Sequence, residues 1–183
     1  YAAGNSSTIQ VDATVDSVIA NLTVSRATVA SAVAQVSEAT DAPTIAAAVY
    51  AITEALRTAL NDPGAQISLL QRLAVCDPVV ISSSAPIGSA IAIAQTAAAA
   101  LCRQAALFSI AQACSDWVPT SSEDAEYLRQ TVADLLDAEA TIAADSGWDA
   151  TWRAMRDLRT QVTQDLSNRA ARLPDIVTVQ RNE

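Results

Sequence analysis

The sequence contains no histidine and no lysine, so all 11 of its basic side chains are arginines. Histidine is the commonest general base and metal ligand, and lysine is needed for Schiff bases and for the phosphate contact of a P-loop. Glycine occurs only 4 times, and no glycine-rich phosphate loop, nucleophile elbow or Cys-x-x-Cys motif is present. From these absences we expect no enzymatic activity, no metal ion and no cofactor.

The remaining composition favours helices. Hydrophobic residues make up 51% of the 183 residues, alanine dominates them, and aromatic residues account for 4%. Alanine is the best helix former, so we predict an all-α protein. The net charge of −9 argues against nucleic acid as a partner, because phosphate contacts need clustered cations.

The three cysteines, Cys76, Cys102 and Cys114, are interpreted as small apolar core residues. Cys102 and Cys114 lie on one predicted helix about 18 Å apart and cannot form a disulfide with each other. This cysteine usage favours synthesis in a reducing cytoplasm.

A heptad pattern runs from residue 9 to residue 38. Val15, Leu22, Val29 and Val36 occupy one seam position, and Val11, Val18, Ser25 and Ala32 occupy the other. Such a pattern predicts a long helix that packs against another helix. The partner could lie in the same chain, but we expect it to belong at least partly to another subunit. The residues predicted at this interface are Val11, Val15, Val18, Leu22, Val29 and Val36.

Turn signals divide the rest of the chain into shorter helices that form an antiparallel bundle. We expect a coiled-coil-like helix over residues 1–40, an Ala-rich helical core over 41–120, a helical hairpin over 121–175, and the start of a following module over 176–183 of a longer protein. The residues predicted on the inner faces are Ile45, Val49, Ile52, Leu56, Leu60, Ile67, Leu70, Leu73, Leu128, Val132, Leu135, Ile142, Trp152, Met155, Leu158, Val162, Leu166 and Leu173.

The most apolar segment, residues 89–114, could be a membrane span or a central helix buried by its neighbours. It is rich in alanine and is interrupted by Gln95, Arg103, Gln104 and Gln112. No cationic cluster or aromatic belt flanks it, so we interpret it as a central helix and expect no membrane contact.

Charged residues crowd the last two helices. Asp134 and Asp137 lie three residues apart on one helix, with Glu139 turned away from them, as on a solvated face. The arginines of the last helix are interleaved with acids and are interpreted as partners of acids on the preceding helix.

Residues 121–179 resemble the Mu-like DNA circulation proteins of contractile-tailed phages. The resemblance lies in the acidic capped helix start, in Leu135-Leu136-Asp137, in Asp165-Leu166 and in Arg169-Ala170-Ala171-Arg172-Leu173-Pro174. In that family, a β-rich N-terminal domain precedes an Ala-rich helical region, and a module like a peptidoglycan-binding LysM fold follows it. This chain is similar to the helical region.

The resemblance implies a structural subunit of a contractile phage tail or tailocin baseplate, made in the host cytoplasm and incorporated into the virion. The implied partners are other copies of the chain and the hub, tube or tape-measure proteins. A bacterial helical adaptor or secretion-associated coiled-coil protein is the alternative.

Overall fold

The computed structural model describes residues 41–77 and 87–173, together with five isolated helical residues, Ala27, Ala30, Ser31, Ala34 and Gln35. The predicted all-α class is confirmed, since these ranges contain helices and no strand. The helices of 41–77 and 87–173 are α1 (Ala42–Thr58), α2 (Pro63–Ala74), α3 (Ile87–Asp116), α4 (Ser122–Asp145) and α5 (Asp149–Ala170).

Local signals set most of the helix ends. The side chains of Asp41, Asp62 and Ser121 each accept a hydrogen bond from the backbone N–H three residues later, which caps α1, α2 and α4. From the sequence, Gly147 is expected to end α4 and Asp149 to cap α5. Gly147 follows the end of α4 with φ of 72°, a left-handed conformation that glycine adopts without strain. Trp148, however, holds the N-cap position of α5 without a side-chain hydrogen bond, and Asp149 is the first helical residue.

Helix α3 is the centre of the bundle. The main core cluster joins its buried face to α2, α4 and α5, through residues such as Leu70, Leu107, Ile110, Leu136 and Leu166. Helices α4 and α5 form the most extensive helix pair, as an antiparallel hairpin closed by the short turn at Gly147.

Several predicted inner-face residues are confirmed. Those that belong to the core cluster or pack against it are Ile67, Leu70, Leu73, Leu128, Val132, Leu135, Met155, Leu158, Val162 and Leu166. Ile142 and Trp152 were predicted to face inward but are exposed. Leu136, which was not among the predicted inner residues, is buried. The buried face of α4 is therefore rotated about the helix axis relative to the predicted face.

Helix α1 also differs from its prediction. The buried residues of α1 are Ala48, Thr53 and Ala55, whereas the predicted inner residue Ile45 is exposed. No side chain of α1 belongs to the main core cluster of the described ranges. The predicted face from Val49 to Leu56 is only half-buried. Small and polar side chains therefore hold α1 on the bundle.

The prediction of a central helix is confirmed for α3 from Ala99 onward, where most residues are buried, but residues 89–98 are exposed or half-buried. In the part of the chain that the structure describes, one helix, Gly88–Asp116, is long and apolar enough to cross a membrane, and 33% of its most apolar window is buried. A core helix meets the same criterion.

Candidate functional site

All six residues predicted at the interface, Val11, Val15, Val18, Leu22, Val29 and Val36, lie outside the described residues. So does the predicted module over residues 176–183. Five residues of the heptad segment are described, and all of them are helical and exposed. In the frame that places Val29 at position a, Ala27, Ala30, Ser31 and Ala34 fall on the outer positions b, c and f, and Gln35 falls on position g, which flanks the seam.

The most deeply buried charges form an ion pair between α3 and α4. The Nε of Arg103 donates to Oε2 of Glu139 over 2.7 Å, and the side chains of Arg103 and Glu139 are 7% and 2% exposed. Arg103 also donates to the backbone oxygen of Cys76 (3.0 Å), and Gln104 donates to Oε1 of Glu139 (2.9 Å). Both carboxylate oxygens therefore have donors, as a buried charge requires.

The sequence interpretation missed this pair because it placed Glu139 on a solvated face. A signal was present, since Glu139 lies seven residues after Val132 and four before Ala143, on the stripe that α4 buries. Arg103 is also the only basic residue between residues 89 and 114. A lone cation on an apolar helix needs an acid on a facing helix.

A second polar contact fastens α1 to α3. The Ser109 hydroxyl donates to Oε1 of Glu54 (2.6 Å), and Arg57 donates to Oε2 of Glu54 (2.8 Å). Burial raises the pKa of Glu54, but the hydrogen bonds from Arg57 and Ser109 outweigh it, so the net pKa is below its ordinary value. The Gln112 amide accepts from the Tyr50 hydroxyl over 3.0 Å in the orientation that also lets it donate to Glu54.

The arginines of α5 have structural contacts of different kinds. Arg169 donates to the backbone oxygens of Cys114 and Trp117 (both 2.7 Å), so it caps the C-terminal end of α3, and it also pairs with Asp165. Arg159 pairs with Asp137 of α4 (2.8 Å), which confirms one predicted ion pair across the hairpin. Arg156 lies over the ring of Trp152, 5.5 Å from its centroid.

The carboxylates of Asp134 and Asp137 on α4 do not converge on a common site. Asp137 binds Arg159, and Asp134 is exposed and accepts from the Gln130 amide (2.7 Å). Among residues 41–77 and 87–173, no three His, Cys, Asp or Glu side chains are grouped as a metal site would require.

The cysteines differ in burial. Cys114 is buried in the core, as predicted, whereas Cys76 and Cys102 are half-buried. Burial raises the pKa of the Cys114 thiol to about 12, and the nearby Arg169 only partly offsets this effect. The reactive form of a cysteine is the thiolate. Burial keeps reagents away from the Cys114 thiol, and the raised pKa keeps it protonated, so both effects make it unreactive.

We expect Cys114 to be alkylated much more slowly than Cys76 by iodoacetamide at pH 8, because its thiol is buried and stays protonated there. Mass spectrometry of peptides from the folded protein measures each rate, and the unfolded protein serves as the control, in which the rates of Cys114 and Cys76 should become similar. Equal rates in the folded protein would contradict the packing of Cys114.

Two large apolar side chains are exposed at one end of the bundle. Val118, in the connection between α3 and α4, is 81% exposed, and Tyr127, in the second turn of α4, is 77% exposed. An open depression of about 530 Å³ beside the start of α4 is lined by Glu123, Glu126 and Ala171, among others. We call Val118, Tyr127 and this depression the end surface. Large apolar side chains exposed in this way can mark protein contacts.

In comparisons with known proteins, the chain matches no family model, no curated protein and no solved structure. The fold itself defines the general class, which is an all-α helical bundle.

Proposed function

We propose that this chain is a non-enzymatic structural subunit of a contractile phage tail or tailocin baseplate. It acts in tail assembly, by packing of helices against other tail proteins and against copies of itself. The support from sequence is the resemblance over residues 121–179, whose described part consists mainly of the α4–α5 hairpin.

The observation that carries an assembly role is the end surface. Tyr127 projects from α4, which is packed extensively against α5, and Val118 is exposed in the connection that precedes α4. Aromatic side chains held on a rigid helix are common anchors of protein interfaces, since they bury a large area at small entropic cost. Glu126 beside this surface is paired with Arg129, so its charge is already compensated within α4 and the apolar side chains carry the proposed contact.

The ion pairs that the arginines form within the chain favour protein partners over nucleic acid. Five arginines of the described ranges are paired with carboxylates, namely Arg57, Arg103, Arg129, Arg159 and Arg169. With the net charge of −9, few cations remain to contact phosphates. This distribution of charge is unfavourable for binding DNA.

The test is complementation of a deletion of this gene in the source genome. Tyr127→Asp should reduce the number of complete contractile tails by about tenfold or more, because the charge is placed at a contact that must lose water. Ala138→Asp, at an exposed position further along α4, is the matched control and should support normal assembly. Tails are counted by negative-stain electron microscopy, and the thermal unfolding of both purified variants should match the parent.

If Tyr127→Asp assembles normally, the contact lies on another surface. If the deletion itself leaves complete tails, the proposed function is wrong. Recovery of the chain with export machinery and never with tails would favour the adaptor alternative.

A further inference from the structure

Helix α3 carries an outer stripe that the described bundle leaves largely uncovered, although its Gln104 donates to Glu139 of α4 and its Ala111 packs against the core cluster. It consists of eight residues, Ala90, Ala94, Ala97, Leu101, Gln104, Phe108, Ala111 and Ser115. The spacing alternates between four and three residues, which is a heptad repeat, and all eight positions are exposed or half-buried. The stripe runs for about 38 Å at 1.5 Å per residue.

The stripe carries mostly apolar side chains at exposed positions, where charged side chains are usual. Ile93 beside it is 71% exposed and Phe108 on it is 47% exposed. The helix is apolar on all sides and not only on the side that faces the core. Helices of this kind are normally covered all round, so the outer stripe lacks a covering element in the described ranges.

The second half of the stripe lies in a groove beside α5. Leu158 and Val162 of α5 form one wall, over an open cavity of about 400 Å³ whose floor includes Phe108. On the other side, Tyr50 of α1 is hydrogen-bonded to Gln112 of α3. A helix laid on the stripe would therefore be held between α1 and α5.

The heptad segment, residues 9–38, has the properties of the covering element. Its seam repeats with the same period as the outer stripe, and as a helix its 30 residues would span about 45 Å, enough for the whole stripe. The seam carries Val and Leu side chains, which suit a floor made largely of alanine. Its described residues, such as Ala27 and Ala34, are exposed and occupy positions on the opposite side of the heptad.

We infer that the heptad segment packs along the outer stripe of α3 in its own chain. Only residues 39–41 separate the segment from α1, and α1 is hydrogen-bonded to α3 through Ser109. Helices joined by so short a connection are usually antiparallel neighbours. The connection also keeps the segment near the stripe at an effective concentration of about millimolar. The seam of the heptad segment thus contacts α3 of the same chain, and the end surface is the surface that contacts other proteins in assembly.

A lipid bilayer is a less suitable cover for the stripe. Its groove is lined in part by Gln112 of α3 and by Gln161 and Asp165 of α5. Hydrocarbon would desolvate these side chains, whereas a helix that lies in the groove leaves its rim in water.

Hydrogen exchange of the whole chain, followed by mass spectrometry, tests the inference. The amides of residues 15–36 should be protected, and Ala97→Asp on the stripe should speed their exchange by about tenfold or more. Leu22→Asp on the seam should have the same effect. Thr96→Asp and Ser31→Asp change exposed neighbours outside the stripe and the seam, and should leave exchange unchanged. Protection of α4 and α5 should persist in all four variants and shows that the bundle remains folded.

The protection should also be independent of protein concentration over about a hundredfold range. Loss of protection on dilution would show that a second copy covers the stripe and would overturn the inference. Normal protection of residues 15–36 in Ala97→Asp would overturn it as well. Protection of residues 87–101 that appears only with vesicles of phosphatidylcholine and phosphatidylglycerol would assign the stripe to a membrane instead.

Discussion

Replacing Glu139 with leucine is expected to destabilise the bundle by about 3–5 kcal/mol, because it leaves the charge of Arg103 buried without a partner. The side chain of Arg103 is 7% exposed and its other donor contact reaches only the backbone oxygen of Cys76. Urea denaturation followed by circular dichroism measures the free energy of unfolding.

The double variant Arg103→Met with Glu139→Leu is the matched control. It removes both charges and replaces them with apolar side chains of similar size, so most of the lost stability should return. If the single Glu139→Leu variant is as stable as the parent, Arg103 is solvated and the pair is not buried. If the double variant is no more stable than the single one, the loss arises from packing and not from an unpaired charge.

Replacing Leu136 with alanine should destabilise the protein by about 2–5 kcal/mol, since it opens a cavity in the core between α3, α4 and α5. Ile142→Ala on the same helix should cost clearly less, because Ile142 is 38% exposed whereas Leu136 is 1% exposed. The same denaturation experiment compares the two variants. The sequence pattern alone predicts a large effect at Ile142, so a reversed order of the two effects would support that pattern and contradict the structure.

The helices and their ends were predictable because their signals are local. Asp62 before Pro63 begins α2, Ser121 begins α4 and Gly147 follows its end, and each acts through backbone groups within a few residues. The all-α class followed from the abundance of alanine and the scarcity of glycine.

The choice of buried face was less predictable, because it depends on contacts between distant helices. The largest apolar residues of α1, such as Ile45, were expected to face the core, but Ala48 and Thr53 are buried instead. Thr53 is buried beside Ser109, 56 residues further along the chain. Small side chains allow α1 to approach α3 closely. A prediction that places the largest apolar side chains of a helix in the core cannot anticipate such a contact.

The buried charges were missed for the same reason. Glu139 occupies an inner position of α4, but only the antiparallel packing of α4 on α3 shows that Arg103 meets it. Similarly, the capping of α3 by Arg169 joins residues more than 50 positions apart. The end surface was not predicted either, because a single exposed tyrosine or valine in a sequence is ordinary and only their placement at one end makes a surface.

The outer stripe of α3 and the end surface have separate roles. The outer stripe of α3 is assigned to a segment of the same chain, and the end surface is assigned to other proteins. A charge introduced on the stripe at Ala97 should therefore speed amide hydrogen exchange in residues 15–36. A charge introduced at Tyr127 should instead reduce tail assembly without affecting the fold.

The most direct test of the proposed function is quantitative mass spectrometry of contractile tails purified from the source cells by sedimentation. We predict that peptides of this chain sediment with the tails, at a constant copy number relative to the tube protein through successive purification steps. Peptides found only in the unsedimented fraction, while complete tails lack them, would contradict the assignment to the tail.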